Sequence, residues 1–256
     1  MTRRFFLAVA ILGTAACIDL ATDPDEIVAI EFTELPWPSV VAGDTLRDAA
    51  GAVTPLAARL FAGDGSEVVG GPLEFLVEEG GVTLGDGNLL IADDTASGTA
   101  RLRASTSGVQ SSPRQIDVVA QPDSMEASGT IAPLEWVVPD NAQSNTSGPL
   151  GVNVLSTNDD ETTSGVRAWI VTFQLESEGI AIAPSDTSGV FLVNDGGRPS
   201  YADTTDAQGK ASRRVRIRIT PGFTPPDSVI VTVRAGYRGA PLSGGPVQLV
   251  LPLRPG

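Results

Sequence analysis

Side chains that commonly carry catalysis are scarce in this sequence. It has no histidine, one cysteine (Cys17) and one lysine (Lys210). Without histidine, Ser-His-Asp and Cys-His arrangements and His-rich metal sites are excluded. No Ser-x-x-Lys run places a serine against Lys210, as a Ser-Lys hydrolase would require, so we assign this lysine to a structural turn. One cysteine cannot form an internal disulfide, and the cores must hold without one.

Adjacent carboxylates are the remaining catalytic candidates, and they occur at Glu78-Glu79, Asp93-Asp94 and Asp159-Asp160. A glycosidase needs two carboxylates across a cleft, one of them with a raised pKa. Neighbouring residues of a strand point to opposite faces of the sheet, so adjacency in sequence does not create such a pair. We therefore predict no catalytic residues and no cofactor, and we keep an enzyme only as a third hypothesis.

Aspartates near predicted turns could supply the oxygen ligands that Ca²⁺ prefers. No run has the spacing of a known calcium loop, and ordinary turn hydrogen bonds account for these side chains. We predict no metal ligands, while calcium binding itself stays an open question. The aspartates concerned are Asp64, Asp86, Asp93, Asp94, Asp195 and Asp203.

A row of arginines is the one basic cluster. Residues 214–219 alternate arginine with a β-branched residue, so a strand would place the arginines on one face in water and the apolar residues on a core. Such a face could bind an acidic polysaccharide or an acidic patch of another protein, although such rows more commonly pair with acids across the sheet. The candidate binding residues are Arg214, Arg216 and Arg218, with Arg213 beside them.

Tryptophans are the candidates for stacking on sugars. Trp37 lies between two prolines and Trp136 on a short strand near Pro139, so either ring could be exposed. Trp169 lies on an apolar strand, where a core position is expected. These rings give the alternative hypothesis of a carbohydrate-binding protein.

Charge narrows the range of partners. The net charge is −14, and removal of an N-terminal signal containing Arg3 and Arg4 would leave 15 basic against 31 acidic residues, or −16. So acidic a chain repels nucleic-acid phosphates and anionic lipid headgroups. We predict no nucleic-acid partner, and we expect any membrane attachment to be covalent.

The N-terminus has the layout of an export signal. Two arginines precede an apolar run from Phe5 to Leu12, which is too short to span a bilayer. Thr14-Ala15-Ala16-Cys17 resembles the lipobox of bacterial lipoproteins, apart from Thr14, where that family prefers leucine. The resemblance implies a cleaved signal peptide over residues 1–16 and a lipid-modified Cys17 at the start of a tether over residues 17–26. It also implies anchoring in a membrane of the cell envelope, the outer membrane in a Gram-negative cell.

Two questions about export stay open. Thr2-Arg3-Arg4-Phe5-Phe6-Leu7 resembles a twin-arginine signal, but paired arginines also occur in ordinary secretory signals. The side of the membrane that the protein faces, periplasm or surface, also depends on the organism.

From Ile27 onward, short strands alternate with turns, and no segment has sustained helical spacing. We predict all-β tandem sandwich domains over residues 27–121 and 122–256, separated at Gln121–Ser124, with an exposed loop at Asp140–Gly148. The predicted strands are Ile27–Thr33, Leu56–Ala62, Leu73–Glu78, Asn88–Ala92, Thr99–Ser105, Gln115–Ala120, Ser124–Thr130, Leu134–Val138, Leu150–Ser156, Val166–Leu175, Val190–Val193, Ala211–Thr220, Ser228–Ala235 and Val247–Leu253.

An internal repeat supports two copies of one fold. Residues 92–100 share with residues 202–211 the skeleton Ala-Asp-x-Thr followed by Ala-x-Gly-x-Ala, with one residue inserted in the second copy. Upstream, residues 73–78 are similar to residues 171–176. A spacing of about 100 residues is typical of tandem immunoglobulin-sized domains.

The run Thr205-Asp206-Ala207-Gln208-Gly209-Lys210-Ala211, preceded by Val171-Thr172-Phe173, resembles the bacterial immunoglobulin-like domains of the invasin and intimin type. The first half lacks the equivalent aspartate and is one residue shorter there. The resemblance implies immunoglobulin-like sandwiches that act as stalks or adhesive modules on bacterial surfaces, and it implies fold and setting more than any ligand. As a partner we keep open an envelope protein or a polysaccharide. Our leading hypothesis is therefore a lipid-anchored, structural or adhesive envelope protein.

Overall fold

The computed structural model describes residues 26–256. Within this range it contains 23 strands and no helix, which confirms the all-β prediction. Accordingly, none of these residues forms an apolar helix of membrane-spanning length. The strands form two β-sandwiches in tandem, and the frequent glycines and prolines supply the turns between them.

The first sandwich is built from ten strands. Its larger sheet has the order β2-β10-β8-β5, with β9 paired to β8; a second sheet has the order β1-β3-β4, and β6 and β7 form a hairpin. The strands are β1 Ile27–Phe32, β2 Ser39–Val41, β3 Ala58–Ala62, β4 Glu67–Val68, β5 Glu74–Glu79, β6 Val82–Gly85, β7 Leu89–Ala92, β8 Gly98–Thr106, β9 Val109–Gln110 and β10 Arg114–Val119.

The second sandwich is larger. One sheet has the order β11-β13-β19-β17, with β14 paired to β13; the other has the order β12-β23-β20-β15-β16, with β18 paired to β15, and β21 and β22 form a hairpin. The strands are β11 Ser124–Ser128, β12 Leu134–Trp136, β13 Leu150–Thr157, β14 Thr163–Gly165, β15 Ile170–Ser177, β16 Ile180–Ala181, β17 Val190–Val193, β18 Ala202–Thr204, β19 Lys210–Ile217, β20 Ser228–Arg234, β21 Gly236–Tyr237, β22 Ala240–Pro241 and β23 Val247–Pro255.

The two sandwiches share one sheet plan. In each, a three-residue strand lies parallel to the last strand, as β2 does to β10 and β12 does to β23, and the remaining pairs of that sheet are antiparallel. Alternation builds the cores: along β8, Ala100, Leu102 and Ala104 point inward and are fully buried. The chain passes from the first sandwich to the second between Val119 and Ser124.

The repeated Ala-Asp-x-Thr segments do not occupy equivalent places. The first copy leads into β8, which pairs with β5. The second copy leads into β19, which lies in the sheet opposite β15 and pairs with β13 and β17. Both segments reach a glycine with positive φ, Gly98 or Gly209, where the next strand begins. The hydrogen-bonded turn, however, spans residues 93–96 in the first copy and 206–209 in the second, so the sequence repeat corresponds to neither equivalent turns nor equivalent topology.

The loop from Asp140 to Gly148 is exposed over most of its length, as predicted, but it is fixed to the fold at Asn145. Asn145 is fully buried, and its amide group bonds both backbone groups of Val137 and the carboxylate of Asp140. The Arg216 Nη2 donates to Asp140 Oδ2 at 2.7 Å from beneath this loop, and Arg216 is only 8 % exposed. The prediction did not foresee the burial of Asn145, which supplies partners to backbone groups that would otherwise need water.

Candidate functional site at the junction of the two sandwiches

The predicted arginine face divides among three environments. Arg214 Nε donates to the exposed carboxylate of Asp195 at 3.0 Å. Arg218 lies beyond the end of β19 and is exposed, with its guanidinium 5.1 Å from the centre of the Phe191 ring. Arg216 is buried beneath the loop, so the expectation of three solvated arginines fails at that position. Of the three arginines of the predicted face, only Arg214 and Arg218 are open to a ligand.

The three tryptophans also lie in different environments. Trp169 is buried, as predicted, and its ring contacts that of Trp37 edge-on, with 5.4 Å between centroids. Trp37 belongs to the first sandwich and Trp169 to the second, so this contact joins them. Trp37 is therefore only half-exposed. Trp136 is half-buried as well, packed against the second core.

Several of the acidic side chains considered for catalysis or for Ca²⁺ have partners within the chain. Glu78 forms ion pairs with Arg101 and Arg103. Within residues 26–256, no three carboxylate, histidine or cysteine side chains come together as a metal site would require. Three turn aspartates have local partners: Asp64 accepts from the Ser66 amide, Asp195 pairs with Arg214, and Asp203 pairs with Arg213. Cys17 and the predicted signal lie outside the described residues.

A continuous set of contacts joins the sandwiches instead. The Ser39 hydroxyl on β2 donates to the carbonyl of Ala168 at 2.8 Å, and Ser39 is 2 % exposed. Beside this contact, Asp117 of β10 is the register partner of Ser39, and its Oδ1 pairs with Arg167 Nη2 at 3.0 Å. Val41 at the end of β2 belongs to the apolar core of the second sandwich. The junction is thus packed as an interior.

Asp44 is the polar centre of the junction. It belongs to the first sandwich and is 7 % exposed. Its carboxylate accepts from Arg47 Nε at 2.8 Å within its own domain, and from the Tyr237 hydroxyl at 2.6 Å and Arg238 Nε at 3.1 Å across the junction. Arg47 Nη2 donates a further bond at 3.0 Å, and charge-assisted hydrogen bonds from three residues are stronger than neutral ones and fix the orientation of the carboxylate.

The electrostatics follow from this arrangement. Burial opposes ionisation of Asp44, but the hydrogen bonds from Arg47, Arg238 and Tyr237 outweigh it and hold the pKa of the carboxyl well below its usual range. Burial, followed by the hydrogen bond to Asp44, raises the pKa of Tyr237 to about 12. At neutral pH the junction therefore contains a carboxylate and a neutral phenol.

Where the second sandwich contacts the first, several residues have a positive φ angle. Ala168 and Arg238 are both in the left-handed region, at φ of 53° and 52°. This region is uncommon for residues with a side chain and costs free energy. Gly51 faces this contact, at φ 84°, and a methyl group there would overlap the backbone of Arg238 and Gly239. Only glycine combines this conformation with so close an approach.

A cavity of about 30 Å³ lies inside the junction, lined in part by Trp37, Trp169, Asp44 and Tyr237. This volume is enough for one or two water molecules. The indole N–H groups of Trp37 and Trp169 are buried without a protein partner. The site can hold water between the sandwiches, but it is too small for a sugar ring.

The interpretation of the sequence missed Asp44, Arg47, Tyr237 and Arg238. Asp44 and Arg47 are three residues apart and read as an ordinary turn, while their partners lie nearly two hundred residues away. The Trp37 segment was considered only for sugar stacking. No local pattern connects these segments.

No family model matches the chain, and no curated protein matches it. Among solved structures, the chain is similar to the adhesin InvE of Yersinia pseudotuberculosis (18 % identity, TM-score 0.34, 83 % of this chain) and the Escherichia coli adhesin FdeC (15 %, 0.29, 90 %). It spans 57 % and 66 % of those chains. It is also similar to the D0-D1 domain of intimin (16 %, 0.25, 88 % of this chain and 96 % of that one). The fold assignment rests on the strand order described above, and these likenesses carry no conclusion about activity or partners.

Proposed function

We propose that this protein is an exported, lipid-anchored component of the bacterial cell envelope whose two immunoglobulin-like sandwiches act as a rigid structural or adhesive module. It has no catalytic role in this proposal. Binding would use the faces, loop ends or junction of the sandwiches rather than a deep active site.

The junction around Asp44 is the observation that supports this role. Domains linked in one chain normally move relative to each other unless their interface is extensive and well packed. Here a hydroxyl, two ion pairs and a tryptophan pair cross the boundary, and the central carboxylate is buried. A rigid tandem holds a binding surface at a fixed distance and angle, which suits a stalk or an adhesin.

The anchor rests on the residues before the first strand. The lipobox-like Thr14-Ala15-Ala16-Cys17 would place a diacylglycerol on Cys17. A tether of about ten residues would then separate the lipid from β1. Several acyl chains make such attachment effectively permanent, whereas one chain binds only marginally.

The experiment is an intact-mass measurement on protein extracted from the membrane fraction of the producing cells, beside a Cys17→Ser variant. We expect a mass equal to residues 17–256 plus acyl chains for the wild type, and an unprocessed or released Cys17→Ser protein. A wild-type protein that is soluble and carries a free thiol would overturn the anchored role.

A further inference from the structure

Two open cavities meet on one side of the junction. They measure about 540 Å³ and 370 Å³ and share Ile170 of the second sandwich. The segment from Glu34 to Pro38 of the first sandwich contributes to the walls of both. Because they share Ile170 and this segment, the two cavities adjoin each other at the domain boundary, and the pair is here named the junction trough.

The lining of the junction trough is more basic than the chain as a whole. Four arginines line it, Arg101, Arg114, Arg234 and Arg238, against one carboxylate, Glu34. Two of them are already paired with acids, Arg101 with Glu78 and Glu79 and Arg238 with Asp44, so the unpaired positive charge is that of Arg114 and Arg234. The chain as a whole carries −14. Such local contrast raises the concentration of anions at the trough and repels them elsewhere.

Two of these arginines have neutral partners and are exposed. Arg114 Nη2 donates to the carbonyl of Phe32 at 3.3 Å, and Arg234 Nη1 donates to Gln174 Oε1 at 2.8 Å. Neither forms an ion pair within residues 26–256. A guanidinium that bonds one neutral acceptor still has free N–H donors. It can use two of them to bind a carboxylate in a bidentate geometry.

The 370 Å³ part of the trough adds an apolar floor. Its lining includes Pro36, Trp37, Ile170 and Pro241, together with Arg234 and Arg238. Flat apolar surface flanked by hydrogen-bond donors suits a sugar ring, whose faces are apolar and whose rim is polar. The charge and the floor together favour a sugar that carries a carboxylate.

The backbone around the trough argues against an extended peptide as the ligand. Peptides commonly bind by adding a strand to a free sheet edge. Thr172 of β15, which lines the trough, pairs with Ala202 on one side and with Arg234 on the other. At Thr172 the trough therefore offers side chains rather than a free strand edge.

We propose that the junction trough binds a linear acidic polysaccharide, with uronate carboxylates on Arg114 and Arg234 and a sugar ring over Trp37. This inference rests on the proposed binding role and names the class of ligand and its site. Because both sandwiches supply the walls, the rigid junction also fixes the geometry of binding.

The test uses the full chain with Cys17→Ser, purified from the cytoplasm, and measures its affinity for polygalacturonate and for uncharged dextran at low salt. The trough variant is Arg114→Gln with Arg234→Gln. The matched control is Arg198→Gln with Arg254→Gln, which removes the same charge at exposed arginines outside the trough. All four side chains are exposed, and unchanged melting temperatures would show that folding is intact.

We expect polygalacturonate to bind and dextran not to bind. The trough variant should bind at least about tenfold more weakly, because each lost bond to a charged group is worth about a factor of ten, while the control stays within about twofold. Three results would each overturn the proposal: no binding to polygalacturonate, equal loss in both variants, or equal binding of dextran. Because the test needs no membrane, its failure is separate from failure of the anchor.

Discussion

The phenolic hydroxyl of Tyr237 donates a 2.6 Å hydrogen bond to the carboxylate of Asp44, a residue 193 positions earlier in the chain. Asp44 also receives Arg47 from its own sandwich and Arg238 from the other. One buried carboxylate therefore connects the segment after β2 with the β21–β22 hairpin. Its loss should affect the junction more than either core.

We expect Asp44→Asn to lower the free energy of unfolding by about 2 kcal/mol. One hydrogen bond to a charged group is worth about 1.5–3 kcal/mol. Because Arg47 and Arg238 are partly exposed, water can replace part of their hydrogen bonding, and the total loss of stability is smaller than the sum over all the bonds to Asp44. The measurement is urea-induced unfolding followed by tryptophan fluorescence, which reports on Trp37 and Trp169. Small-angle scattering should show a wider range of domain angles.

Asp195→Asn is the matched control for that substitution. Asp195 also pairs with an arginine, Arg214, but its side chain is 82 % exposed. An exposed pair contributes about 0–1 kcal/mol, so this variant should unfold almost as the wild type does. Equal effects of the two substitutions would show that Asp44 does not hold the junction.

Tyr237 should make the junction sensitive to alkaline pH. Its pKa is about 12 in the folded chain, against about 10 in an unfolded one. A pKa that is higher in the folded chain means that folding favours the neutral phenol. The stability that Tyr237 contributes is therefore fully present below about pH 10 and is lost as the pH rises through about 12. Ultraviolet titration of tyrosinate should show a late transition that disappears in Tyr237→Phe. Burial also raises the pKa of Tyr201, the other tyrosine, whose transition should remain. A transition of Tyr237 near pH 10 would contradict the hydrogen bond.

The fold class could be predicted from the sequence because alternation and turn chemistry are local signals. The strand Val190–Val193 begins and ends as predicted, and most other predicted strands differ by one to three residues. Nine strands of two to four residues were missed, among them Ser39–Val41; they are β2, β4, β6, β9, β14, β16, β18, β21 and β22. A strand of three residues beside a proline-rich segment is too short to show an alternation of apolar and polar residues. Its pairing with β10 joins residues that are distant in sequence.

The candidate site was harder to predict for the same reason. Trp37 and Trp169 were both singled out, yet only their meeting at the boundary shows their role. The alternation in β19 correctly separated its two faces but could not show that a loop covers Arg216. Sites formed between sandwiches depend on how two distant segments meet, which one strand's pattern does not contain.

The loop from Asp140 to Gly148 should depend on Asn145. Asn145→Ala removes three hydrogen bonds and leaves both backbone groups of Val137 without their partner, at a cost of about 2–3 kcal/mol. Asn153→Ala is the control, because Asn153 makes one exposed bond to Glu126 and its loss should change stability by at most about 0.5 kcal/mol. Hydrogen exchange should show faster exchange of the Val137 amide in the first variant alone. Protection that survives Asn145→Ala would mean that other contacts hold the loop.

Comparing alanine substitutions at two glycines separates the steric cost of the close approach at the junction from the cost of backbone strain. Gly51 and Gly65 have nearly the same φ, 84° and 85°, so alanine should cost each about 1 kcal/mol for the left-handed conformation. A methyl group at Gly65 meets no atom within 4 Å, whereas at Gly51 it would overlap the backbone of Gly239 in the other sandwich. Gly51→Ala should therefore lower the free energy of unfolding by about 1–3 kcal/mol more than Gly65→Ala, and it should also shift the emission of Trp37 and Trp169 as the sandwiches separate. Equal costs, with unchanged tryptophan emission, would mean that the turn at Gly51 does not touch the second sandwich in solution, and the rigid junction would have to be abandoned.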